Sequence, residues 1–180
     1  GVGCAMLKAL FEMLQIITQG ELTDQFHVGL LGAIGTILFF LTANFGQIDS
    51  LADDGSATYK KYRIIALAAP LAMAVLFVVE LFSGASLILT VVTLVYIILV
   101  QFASYFHLKH IIFPDVDYGI VRCIRGYNSL ALIYCFCTVI RMIGNDFSIP
   151  YVCYAVDIVT GIVLLVILPV LGKEVKRWTL

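Results

Sequence analysis

Apolar residues run along this chain in long stretches, separated by short polar segments. Residues 27–45 (HVGLLGAIGTILFFLTANF) carry no Asp, Glu, Lys or Arg, and an apolar run of this length predicts a helix able to cross a bilayer. Comparable stretches fall at 63–82, 85–106, 128–144 and 149–171. Pro70 sits inside the second (ALAAPLAMA), where a missing backbone donor predicts a kink. The tight Ser83-Gly84 turn predicts an antiparallel hairpin of the second and third stretches. Arg141 interrupts the fourth, and Pro169 with Gly172 marks the end of the fifth.

The first residues follow a different pattern. Residues 4–18 (CAMLKALFEMLQIIT) place Met6, Leu7, Leu10, Phe11, Leu14 and Ile17 at helical spacing, with Lys8 and Glu12 as an i,i+4 pair on the other face. This pattern predicts an amphipathic helix lying in the membrane interface. The expected fold class is therefore an all-α membrane bundle of about five transmembrane helices plus an N-terminal amphipathic helix, in one polytopic domain.

Composition agrees with lipid as the solvent. The chain has 180 residues, 62% hydrophobic and 13% charged, whereas a soluble domain is about a quarter charged. Net charge is −1 and no basic stripe is present, so nucleic acid is not an expected partner. No Gly-rich phosphate loop and no GxSxG occur, and no cofactor is expected. The five cysteines include no CxxC, and Cys135-x-Cys137 on a helix would point its thiols to different faces. The basic residues add an orientation. Lys60, Lys61, Arg63, Lys109, Arg122, Arg125, Lys173, Lys176 and Arg177 share one side of a five-span chain, and Lys8 alone falls opposite. Positive charge favours the cytoplasmic side. The expectation is an integral, multi-pass protein with its C-terminus cytoplasmic (or in a matrix or stroma) and its N-terminus outside or lumenal.

Four sets of residues are candidates for more than packing. Glu80, Arg141 and Asp157 are ionisable groups inside spans, so they are expected to pair. Such a cluster serves either as a structural salt bridge or as an ion or substrate site. His107 and His110, spaced i,i+3, with Asp115 and Asp117 beyond Pro114, could hold a divalent metal, and a DxD pair could hold a metal bound to a diphosphate. Gly29, Gly32, Ala33, Gly35 and Thr36 make one half of the first span thin, as in a helix-contact face. Ser86, Thr90 and Thr93 recur along one face of the third span, either lining a pore or bonding across helices.

The soluble segments are too short for a catalytic domain. The reading that follows is a membrane helical bundle that serves as a subunit of a larger membrane complex or as an oligomeric channel or transporter. Its expected partners are the lipid bilayer, other membrane subunits or copies of itself. Two other readings remain: a small membrane enzyme acting on lipid-linked substrates at the cytoplasmic face through His107, His110, Asp115 and Asp117, and a membrane fragment of a longer polytopic protein.

Overall fold

A computed structural model describes residues 1–19, 28–44, 57–82, 91–113 and 124–176. Every element among them is a helix: α1 (Val2–Gln19), α2 (Val28–Thr42), α3 (Ala57–Ala66), α4 (Ala68–Leu81), α5 (Val91–Ile112), α6 (Arg125–Asp146) and α7 (Pro150–Lys176). Four helical segments are long and apolar enough to cross a membrane: Lys60–Leu81, Thr93–Ile112, Arg125–Asp146 and Pro150–Lys176. Val28–Thr42 is a shorter apolar helix. The segment 45–56, the Ser83-Gly84 turn, Ser86, Thr90, Asp115 and Asp117 lie outside the described residues.

Pro70 explains the division of the second span. It has no N–H to give the carbonyl of Ala66, so the helical ladder is interrupted there. The chain tightens at Leu67, whose N–H bonds to Ile64 O at 3.1 Å, a three-residue turn, and α4 starts at Ala68. Pro70 then sits in the first turn of α4, where a missing donor costs least.

The helices alternate in direction. The Tyr127 hydroxyl, at the start of α6, donates to Phe40 O near the end of α2 (2.9 Å). Arg125 reaches Ile111 O and Phe113 O past the end of α5 (3.2 and 2.9 Å). Tyr62 of α3 packs on Phe113 with ring centroids 5.8 Å apart. The Glu174 carboxylate, near the end of α7, accepts from the backbone N–H groups of Gly126 and Tyr127 (2.7 and 3.0 Å). All these contacts lie at one end of the bundle, which also carries Lys60, Lys61, Arg63, Lys109, Arg125, Lys173 and Lys176. We call it the basic end and the opposite one the far end.

The placement of α1 differs from the sequence expectation. A helix lying flat in the interface would cross the bundle axis, but α1 runs along α2, antiparallel to it. Phe39 and Phe40 are next to Gly1, Cys4 is next to Gly35 and Lys8 is next to Gly32. A Cβ on Gly32 would come within 2.7 Å of Lys8 Cβ, so the close approach requires glycine there. Gly1 and Glu174 consequently lie at the same end of the bundle. The faces of α1 are also inverted relative to a helix of a water-soluble protein. Met6, Leu7, Leu10, Met13, Leu14 and Ile17 point outward, while Ala5, Lys8, Glu12 and Gln15 face inward. The remaining outer surface is equally apolar, with Leu71, Val75, Tyr151, Ile158 and Leu165 exposed. Lipid is the environment such a surface suits.

The core is formed at the centre by Ile37, Phe40 and Leu41 of α2, Met73 and Phe77 of α4, Tyr96 and Val100 of α5, and Tyr134 and Val139 of α6. Phe40 meets the Tyr127 and Tyr134 rings edge-on, with centroids 6.1 and 5.3 Å away. α5 and α6 are the central pair. α7 packs on α6, and α1 on α2.

Candidate functional site

A cavity of about 500 Å³ opens in the far half of the bundle. It is walled by Lys8, Glu12 and Gln15 of α1, Gly29 and Leu30 of α2, and Thr93 and Tyr96 of α5. From α6 come Tyr134, Thr138, Arg141, Met142, Asn145 and Asp146, and from α7 Asp157 and Thr160. Small-molecule sites have volumes of about 300–1,000 Å³, so this one suits a compact ligand.

α6 contributes its C-terminal half to the cavity wall, opposite residues of α1 and α7. The α6–α7 turn fixes that half. Ser148 takes a left-handed conformation (φ 54°). Ile149 N–H bonds to Gly144 O at 2.8 Å and Ser148 N–H to Asn145 O at 3.0 Å, the paired bonds of a Schellman cap. Gly144 faces Cys153 and Val152, where an added Cβ would meet sulfur at 3.1 Å, so α7 packs tightly on α6 at the turn.

A continuous chain of charge crosses the cavity. Lys8 Nζ lies 3.0 Å from Glu12 Oε1, an Arg141 amine 3.8 Å from Glu12 Oε2, and Arg141 Nε 2.7 Å from Asp157 Oδ1. The four groups are partly exposed and sum to zero formal charge. Arg141 and Asp157, both singled out from sequence, are thus in contact. Lys8 and Glu12 join them from α1, which sequence reasoning had placed in the interface. The signal was present: Lys8, Glu12 and Gln15 form one polar stripe at helical spacing, which marks either a solvated face or a face turned into a bundle.

Glu80 is not part of this chain. It is 2% exposed, and its neighbour is the Asp146 carboxyl. Its Oε2 makes no hydrogen bond. Tyr96, also buried, lines the cavity and neighbours both Thr138 and Glu80. Thr93 reaches the cavity wall.

His107 and His110 lie inside α5, not in a polar connection after it, because the helix continues to Ile112. Both are buried at the basic end. Asn128 Oδ1 accepts from His107 Nδ1 (2.8 Å) and from Asn44 Nδ2 (2.7 Å), while Asn128 Nδ2 donates to Asn44 Oδ1 (3.1 Å) and Ile124 O (2.9 Å). This assigns the proton of His107 to Nδ1 and its lone pair to Nε2. His110 Nδ1 donates to Phe106 O (2.7 Å). Among the described residues no group of three or more His, Cys, Asp or Glu could hold a metal ion. Asn44 and Asn128 are the functional-looking residues that the sequence did not reveal, for they lie 84 positions apart and neither belongs to a motif.

The small residues of α2 divide between two faces. Gly32 and Gly35 meet α1, whereas Ala33 and Thr36 are buried, with Thr36 Oγ1 donating to Gly32 O at 2.8 Å. Gly29 is at the cavity wall. Cys4, Cys135, Cys137 and Cys153 are free thiols.

Models of protein families give no match to this chain, and comparisons with curated proteins and with solved structures give none either.

Proposed function

We propose that this chain is a polytopic membrane protein that binds a small zwitterionic solute in the far-end cavity and carries it across the bilayer. The observation behind the reading is the neutral four-ion chain in a cavity of about 500 Å³, within a bundle whose outer surface is apolar. A zwitterion is the ligand that exchanges with such a chain at constant charge. Its carboxylate takes Arg141 or Lys8, and its ammonium takes Glu12 or Asp157. The hydroxyls of Thr138, Thr160 and Tyr134 supply neutral partners beside them. A ligand of single sign would leave one ion of the cavity without a counter-ion.

The topology that goes with this reading has six crossings: α1, α2, the broken α3–α4 segment, α5, α6 and α7. Gly1 and Glu174 then lie on one side together with the basic residues, which makes the basic end cytoplasmic and the cavity nearer the outside or lumen.

Reconstitution into nanodiscs tests the proposal. A panel of amino acids and betaines should include members that bind saturably and raise the melting temperature. Arg141→Gln should remove that binding. If no zwitterion in the panel binds, or Arg141→Gln binds as well as the native chain, the reading fails.

A further inference from the structure

Two carboxyl groups at the far end are positioned by the fold in a way that the ion chain does not use. Glu80 is the penultimate residue of α4, and Asp146 the last of α6. A helix C-terminus carries a partial charge of about −0.5. Two carboxyls are therefore set side by side, each in the negative field of its own helix end. Glu80 is 2% exposed with Oε2 unpartnered, so water does not relieve it.

The groups facing Glu80 do not neutralise it. From α6 comes Asp146, a second carboxyl. From α5 comes the Tyr96 hydroxyl. The charged residues of α3, Lys60, Lys61 and Arg63, lie at the basic end. Arg141, one helical turn before Asn145 on α6, is committed to Asp157 and Glu12. Two adjacent carboxylates with no cationic partner among the described residues call for a bound cation. A calcium or magnesium ion takes six or more oxygen ligands, and among the described residues Glu80 has one carboxyl and one hydroxyl neighbour. A proton needs only the pair.

We propose that Glu80 and Asp146 form a proton-binding pair whose loading is linked to occupancy of the cavity. The linkage rests on the solute reading above, whereas the pair itself does not. Asp146 and Tyr96 are on the cavity wall, and Glu80 neighbours both. A solute that engages Arg141 changes the field at Asp146 five residues along the same helix, and so changes the proton affinity of the pair. One proton then moves with the solute, bound to the carboxyl pair in the loaded state and released to water in the empty one.

Infrared difference spectroscopy of the chain in lipid, between alkaline and acid pH, reads the pair directly. A protonated carboxylic C=O band should appear in the native chain and be lost in Glu80→Gln. Asp146→Asn, a change at a half-buried helix end, should also remove it and serves if Glu80→Gln does not fold. A band unchanged in the variants overturns the proposal, as does a band abolished by sodium at constant pH, which would make the site one for a metal cation. The linkage is read with a pH-indicator dye in weak buffer. Zwitterion binding should shift the dye signal in the native chain, and binding should persist without that shift in Glu80→Gln. Binding with no proton change in the native chain overturns the linkage. If no zwitterion binds, the cavity reading and the linkage fall together, and the infrared band still decides the pair.

Discussion

The two ends of this bundle handle polar groups in opposite ways. At the basic end they are consumed by the structure: Asn128 is bonded four ways, Glu174 caps the first turn of α6, and Arg125 ties down the carbonyls that end α5. At the far end they surround open space, with four ions bordering a cavity and the carboxyl of Glu80 next to Asp146 and Tyr96 of its wall. A buried polar group that is fully bonded rigidifies its surroundings, whereas one facing a cavity stays available for exchange. In the reading proposed above, the molecule spends its polar residues on rigidity at one end and keeps them for a solute at the other.

That contrast can be broken, and the largest effect is expected at the basic end. Asn128→Leu strips the acceptor from both Asn44 and His107, which are buried, and each orphaned group costs about 1–3 kcal/mol. Thermal unfolding in detergent should show a marked fall in melting temperature. Gly126→Ala comes next. Its Cβ would stand 2.9 Å from Glu174 Oε1 and 3.1 Å from Val170 Cγ1, and forcing a methyl into such a space costs about 1–3 kcal/mol. The same unfolding measurement should show a smaller loss, with α7 detaching first by hydrogen exchange. The smallest effect is expected at the far end. Lys8→Met removes one member of the ion chain from a partly exposed pair, worth about 0–1 kcal/mol when water reaches it. Melting should barely change, while zwitterion affinity should fall. A destabilisation by Lys8→Met as large as that of Asn128→Leu would mean that the cavity is dry and its ions structural.

The helical class was legible because hydrophobic length is a strong signal in lipid, where every backbone group must be bonded within its own segment. The runs at 63–82, 128–144 and 149–171 each correspond to an observed helix, even with Pro70 and Arg141 inside them. The orientation of α1 was not legible. Periodicity shows that a helix has two unlike faces, but in a membrane the apolar face belongs outside, and the polar face can meet either water or a polar interior. Because α1 was read as interfacial, Glu12 was missed as a neighbour of Arg141. The end of α5 was misplaced for a related reason. His107, Lys109 and His110 look like a polar linker by composition, yet α5 continues through them, burying His107 against Asn44 and Asn128 and His110 against Phe106, while Lys109 lies over the Phe106 and Phe113 rings at 5.4 and 5.5 Å. Contacts between residues so far apart in sequence leave no periodic trace.

The inverted faces of α1 bear on how the chain is assembled. Insertion of a helix alone is opposed by about 2.5–3.5 kcal/mol for a lysine at its centre, and α1 also carries Glu12 one turn beyond Lys8. In the six-crossing topology proposed above, α1 enters the bilayer as a hairpin with α2, whose Gly32 and Gly35 receive it, and Glu12 meets Arg141 only after α6 has been synthesised. Until then the polar face of α1 lacks its ionic partner on α6, and Asp157, on α7, is the last of the four ions in chain order.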